Sequence, residues 1–194
     1  MTVGRDLGVA QAVEPPPVKL IIGLILAREA PIMAIRQHLE ATYGPIDRES
    51  ALLPFVATMF YEREMGPALQ RLFWSFDALI AADALAGIKQ ETNAVEQTYA
   101  VHTGQGRHRR VNLDPGYVDL AKLVLATTKD RQHRLYIGQG IYAEVTLRFT
   151  GGRFVPWEWT YPDYRTPEYL AFFDAVRRHY RQQLTALQAE PHHV

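Results

Sequence analysis

No cysteine occurs in the 194 residues of this chain. Disulfides, thiolate nucleophiles and Cys-ligated zinc or iron–sulfur centres are therefore excluded, and the composition fits a reducing compartment. Serine is scarce: Ser50 and Ser75 are the two present, and neither sits in a G-x-S-x-G elbow. A phosphate-cradling G-x-x-x-x-G-K-[ST] loop is missing, as are a G-x-G-x-x-G after a strand and an H-E-x-x-H helix. The apolar run "LIIGLILA" (20–27) is far too short to span a bilayer. The opening "MTVGRDLGVAQAVEPPP" lacks the apolar core of a secretory signal, so a cytoplasmic protein without a membrane partner is expected. An excess of charge is lacking too. The 21 basic and 21 acidic residues cancel, which leaves no global field to draw the chain to nucleic acid.

What is present fits one globular domain. Apolar residues make up 47% and charged residues 22%, enough for a core that needs no staples. We expect tails over 1–17 and 188–194 around a single α+β domain at 18–187. "KLIIGLILA" reads as a central strand, apolar on both faces. Pro31 opens a helix whose Ile32, Ile35, Leu39 and Tyr43 share a face, and Gly44-Pro45 stops it. Residues 51–61 read as a strand, 65–80 as an amphipathic helix through Leu69, Leu72, Phe73, Phe76 and Ile80, and 83–98 as a weaker helix. "HTGQGRHRR" (102–110) reads as a basic turn.

Four strands then follow in "RRVNLD", "AKLVLATT", "HRLYIG" and "YAEVTLRF", and Gly151-Gly152 turns a hairpin into "RFVPWEW". A long amphipathic helix closes the chain over 166–187, with Thr166 and Pro167 at its start. Consecutive late strands predict a mixed, largely antiparallel sheet flanked by helices.

Polar residues interrupt the apolar runs between Val111 and Leu147, and they form the candidate constellations. Lys129, His133 and Arg134 could converge on a phosphate or carboxylate, or belong to a solvated turn. Asp114 precedes Pro115-Gly116, which is good type II turn chemistry; the alternative is a general base or metal ligand at a strand end. Asn112 shares its face if the segment is extended. Glu144 and Thr146 share one strand face, an ordinary alternation for a half-exposed sheet. Glu62 and Glu64 form either a paired-carboxylate face or an acidic helix start. Asp163 and Arg165 lie among aromatics in "WEWTYPDYRTPEY" (157–169), which could cap a pocket or anchor a loop. Basic residues concentrate between Val101 and Arg134, seven against three acids. "TTKD" comes close to the T-K-x-D guanine loop of GTPases, but its aspartate falls one residue early.

"FYEREMG" (60–66), "IKQETNAVE" (88–96), "VNLDPGY" (111–117), "LVLATTKDRQHRLY" (123–136), "GIYAEVTL" (140–147) and "WTYPDY" (159–164) together resemble an uncharacterised prokaryotic family, the domain of unknown function 4416. The resemblance runs from Lys19 to about Tyr180 and carries no established activity. Some members have borne a GTP-binding label, although this chain lacks a P-loop. The resemblance implies that Lys89, Thr92, Asn93, Asn112, Asp114, Lys129, His133, Arg134, Glu144 and Asp163 line one cleft.

The leading expectation is an enzyme or ligand-binding domain for a phosphorylated or nucleotide-like anion. Asp114, His133 and Glu144 are the catalytic candidates, His133 for proton transfer and the two acids as base or Mg²⁺ ligands. Lys129, Arg134 and Arg110 would neutralise the anion, with Lys89, Asn93, Asn112 and Asp163 as further binding residues. RNA binding through 107–134, or a protein–protein module whose polar residues only fix loops, are the alternatives.

Overall fold

The computed structural model describes residues 11–104 and 106–189. Residues 11–17 run without regular structure; the rest of the expected N-terminal tail and Gln105 lie outside the described residues. In chain order the elements are β1 (Val18–Leu26), α1 (Ile32–Tyr43), β2 (Ile46–Glu49), β3 (Leu53–Pro54), α2 (Glu62–Met65), β4 (Gln70–Ile80) and α3 (Leu85–Thr98). There follow β5 (Val101–Thr103), β6 (Gly106–His108), β7 (Val111–Val118), β8 (Lys122–Thr127), β9 (Leu135–Gly138), β10 (Ile141–Thr150), β11 (Arg153–Pro156) and α4 (Pro167–Ala189). The last helix thus continues past 187, and only 190–194 of the expected C-terminal tail lie outside the described residues.

The expected α+β class holds. A nine-stranded sheet runs β11-β10-β8-β7-β1-β4-β2, with β3 also on β4 and β9 also on β10. Each described ladder is antiparallel. β1 is central and buried throughout because its side chains serve two cores. Leu20, Ile22, Leu24 and Leu26 pack with Ile35 and Leu39 of α1 and Ile88 and Val95 of α3. Ile21 faces the other way, with Phe73, toward Tyr169, Phe173 and Val176 of α4. Gly23 lies on that second face; a Cβ there would meet the Phe73 ring at 2.9 Å and the Tyr164 hydroxyl at 3.3 Å.

Four expectations are corrected. Residues 70–80 are strand, not helix. Leu72, Trp74 and Phe76 enter the α1/α3 core while Phe73 joins the α4 core. A run apolar on both faces satisfies helical and strand spacing alike, and its large aromatics favour the strand. The strand expected over 51–61 shrinks to Leu53–Pro54, followed by an irregular segment and the short α2. Asp114-Pro115-Gly116 is no turn but the middle of β7, paired with Gly23, Ile22 and Ile21 of β1. The expected basic turn is a small β5–β6 hairpin. Thr166 ties the start of α4 to the preceding turn, its hydroxyl donating to the Asp163 carbonyl at 3.0 Å.

Candidate functional site

β7 and β8 pair only where Gly116–Val118 meet Leu123–Leu125. Gly116 marks the last tight approach: a Cβ would lie 2.2 Å from the Val124 carbonyl oxygen. Beyond it β7 stays on β1 while β8 stays on β10, so the sheet splits. α3 fills the backbone's needs at the split. Lys89 Nζ donates to the Leu113 carbonyl at 2.7 Å, and the Leu113 amide donates to Glu96 Oε1 at 2.7 Å. Backbone groups two residues apart in a strand point the same way. Pro115 therefore turns its nitrogen toward the split, where having no N–H costs nothing.

A cavity of about 620 Å³ opens at this split, walled by β4, β7, β8, β10, α3, and loops 55–64, 127–134 and 161–164. Its floor centres on Arg71, 2% exposed. Arg71 donates to Asp114 Oδ2 at 3.0 Å and to the Tyr164 hydroxyl at 2.7 Å, with Asp163 Oδ2 at 3.7 Å. The guanidinium also lies over Phe73, 4.7 Å from the ring centre. Asp114 takes a further bond from Asn112 Nδ2 at 2.8 Å. Burial opposes its charge, but Arg71 and Lys89 prevail and hold the carboxyl below the usual carboxylate range. Asp163 moves the other way: burial pushes it up, the Asp114 charge adds to that, and Arg71 only partly offsets it.

Beside the floor, Arg109 grips Glu64 with two bonds of 2.7 Å and gives its remaining nitrogen to Glu96 at 2.7 Å and Asn112 Oδ1 at 3.0 Å. Burial raises the Glu96 carboxyl despite that contact and nearby Lys89. On the far wall Arg134 bonds Glu144 Oε2 at 2.7 Å, the Lys129 carbonyl at 2.8 Å and the Tyr161 hydroxyl at 2.9 Å. The other Glu144 oxygen accepts from Thr146 at 3.3 Å. At the mouth, Lys129 Nζ sits 4.4 Å over the Phe60 ring, joining loops 55–64 and 127–134.

The cavity brings together Lys89, Asn93, Asn112, Asp114, Lys129, Arg134, Glu144 and Asp163. Thr92 lies outside it, buried in α3, its hydroxyl donating to the Lys89 carbonyl. Two other candidates also lie elsewhere. Arg110 closes a loop, donating to the Tyr99 carbonyl at 2.9 Å, with Glu29 at 3.5 Å. His133 stands behind Glu144, 3.3 Å from Oε2, and stacks on Trp159 at 5.7 Å. Asp114 and Glu144, expected as Mg²⁺ ligands, both give their oxygens to neighbouring side chains. Among the described residues the one metal-like grouping is Asp47, Asp77 and His179, where the Lys19 ammonium already bonds Asp47. Arg71 escaped the sequence reading because a helix placed it on a polar face; strand alternation with Phe73 and Ser75 was its signal.

Fold and site define an α+β domain in which a split antiparallel sheet holds a charged cavity. Residues 16–180 match the model of the family described as Domain of unknown function (DUF4416), and the chain belongs to that family. No curated protein and no solved structure matches the chain. Among the described residues no helix is long and apolar enough to cross a membrane.

Proposed function

We propose that the cavity binds a phosphorylated, nucleotide-like small molecule, its organic part inside and its phosphate at the mouth. The observation that carries this reading is the distribution of unspent charge. Inside, Arg71, Arg109 and Arg134 are matched by Asp114, by Glu64 with Glu96, and by Glu144. At the mouth, Lys129 and Arg131 line the cavity without a carboxylate partner among the described residues. A dianionic group is the natural complement of two such cations. Phe60, Tyr61 and Tyr161 supply faces for a planar ring. Asn93 has no side-chain partner among the described residues, and Lys89 uses one of its three donors on Leu113. Both can serve hydroxyl or carbonyl groups of the ligand. The volume lies in the ordinary range of small-molecule sites, ~300–1,000 Å³. RNA binding has less support, since Arg109 and Arg110 are already held by protein groups.

The test is thermal shift and calorimetry with nucleoside monophosphates and sugar phosphates, with and without Mg²⁺. A phosphorylated compound should raise the melting temperature of the wild type. The double variant Lys129→Ala/Arg131→Ala should keep its own stability within about 0.5 kcal/mol, as surface changes do. Its affinity should fall about ten-fold or more. If no phosphorylated compound shifts the wild type, the reading is wrong.

A further inference from the structure

We propose that the cavity is catalytic and hydrolyses the glycosidic bond of its phosphorylated ligand, Asp163 giving a proton to the departing group and Asp114 facing the sugar as a fixed carboxylate. This rests on the binding reading above and adds a reaction to it.

Two carboxyls share one guanidinium. Asp114 from β7 meets one terminal nitrogen of Arg71, and Asp163 from the turn before α4 stands near the other. Their surroundings differ. Asp114 is fixed by Arg71 and Asn112 at hydrogen-bonding distance. Asp163 accepts no side-chain hydrogen bond among the described residues, and its nearest cation is 3.7 Å away. One positive charge balances one carboxylate, and Asp114 holds the shorter contact. The groups felt by Asp163 are Arg71, Asp114, Tyr164 and Tyr169. Arg71 and the backbone amides of Asp163 and Tyr164 favour its ionisation, while burial and the Asp114 charge oppose it. Burial and the Asp114 charge prevail and raise the Asp163 carboxyl, which makes it the proton-donating member of the pair.

Two carboxyls with opposed protonation are what cleavage at an anomeric carbon needs. Place matters as much. Lys129 and Arg131 hold phosphate at the mouth, so the interior pair acts on the organic part and not on phosphorus. In the step, the bond between the anomeric carbon and the base nitrogen breaks, and both electrons leave with the base. The base nitrogen takes the Asp163 proton. Water adds its oxygen to the anomeric carbon and returns one proton to Asp163. Asp114 stays ionised and offsets the positive charge that develops on the sugar. Nothing is oxidised or reduced.

The experiment incubates the full chain with the common 5′-ribonucleoside monophosphates and follows free base by chromatography, with binding measured on Asp163→Asn. Base release is expected, its rate falling as pH rises through the Asp163 titration. Asp163→Asn should fold normally, bind within a few-fold of wild type and turn over about 100-fold or more slowly. Bound nucleotide recovered intact would overturn the catalytic inference and leave the binding reading standing. No nucleotide binding would overturn both. Equal rates for wild type and Asp163→Asn would remove Asp163 as the acid.

Discussion

Two buried cations sit on the same face of the sheet, at opposite ends of the β1–β4 ladder, and only one opens on a cavity. Lys19, fully buried, bonds Asp47, Gln183 Oε1 at 2.8 Å and the Asp77 carbonyl at 3.4 Å, which uses all three ammonium donors. α4 covers it. Arg71, across from Ile25 at the other end, keeps its Nε without a partner and has a second carboxyl at 3.7 Å. Around Lys19 the donors are spent and the groups are closed in. Around Arg71 a carboxyl is left over, and it faces open space. A buried ion pair is a poor sign of a site; a surplus beside one is a better sign.

The largest effect is expected from Arg71→Met. It takes the shared cation from Asp114 and Asp163 and leaves the Tyr164 hydroxyl without its donor, and should cost about 3–5 kcal/mol in urea unfolding. A cost near zero would mean the floor rearranges freely. Lys19→Met should cost less, about 1–3 kcal/mol, because one carboxylate and not two loses its nearest cation, and Asp47 keeps the Ser75 hydroxyl at 2.6 Å. Equal costs would erase the distinction between a saturated cluster and an open one.

The smallest effect is in pH. The raised Asp163 means the folded state holds that proton more tightly than the unfolded chain. Its contribution is therefore present below about pH 4 and is lost as pH rises through the folded value. Asp163→Asn should flatten that decline. The lowered Asp114 and Asp47 act oppositely: their stabilisation is present above about pH 4 and is lost as pH falls through their folded values. That acid limb should survive in the variant, and urea midpoints across the pH range would show both limbs.

Much of this was legible beforehand. β1, α1, α3, α4 and the β10–β11 hairpin follow from apolar spacing and from glycine and proline. The strand face of Asn112 and Glu144 placed real cavity residues. The segment 70–80 was not legible, because residues apolar on both faces carry no period that separates helix from strand. Losing it hid Arg71, and with it the reason Asp114 holds its charge inside the cavity. Pro115-Gly116 also misled, since local chemistry cannot announce that β7 pairs on one side with β1 and loses β8 on the other at Pro115. Arg134 and His133 read as free groups because their partner, Glu144, lies on the next strand.

The α3 side chains that stand in for a strand beside Leu113 have a further consequence. In a ladder, an amide proton meets solvent only when strands part. The Leu113 amide instead waits for one carboxyl group to let go, and burial already favours the neutral form of that carboxyl. Neutral Glu96 is the weaker acceptor. The exchange rate of this single amide with deuterium thus becomes a clock for the opening of the cavity wall, readable without any ligand.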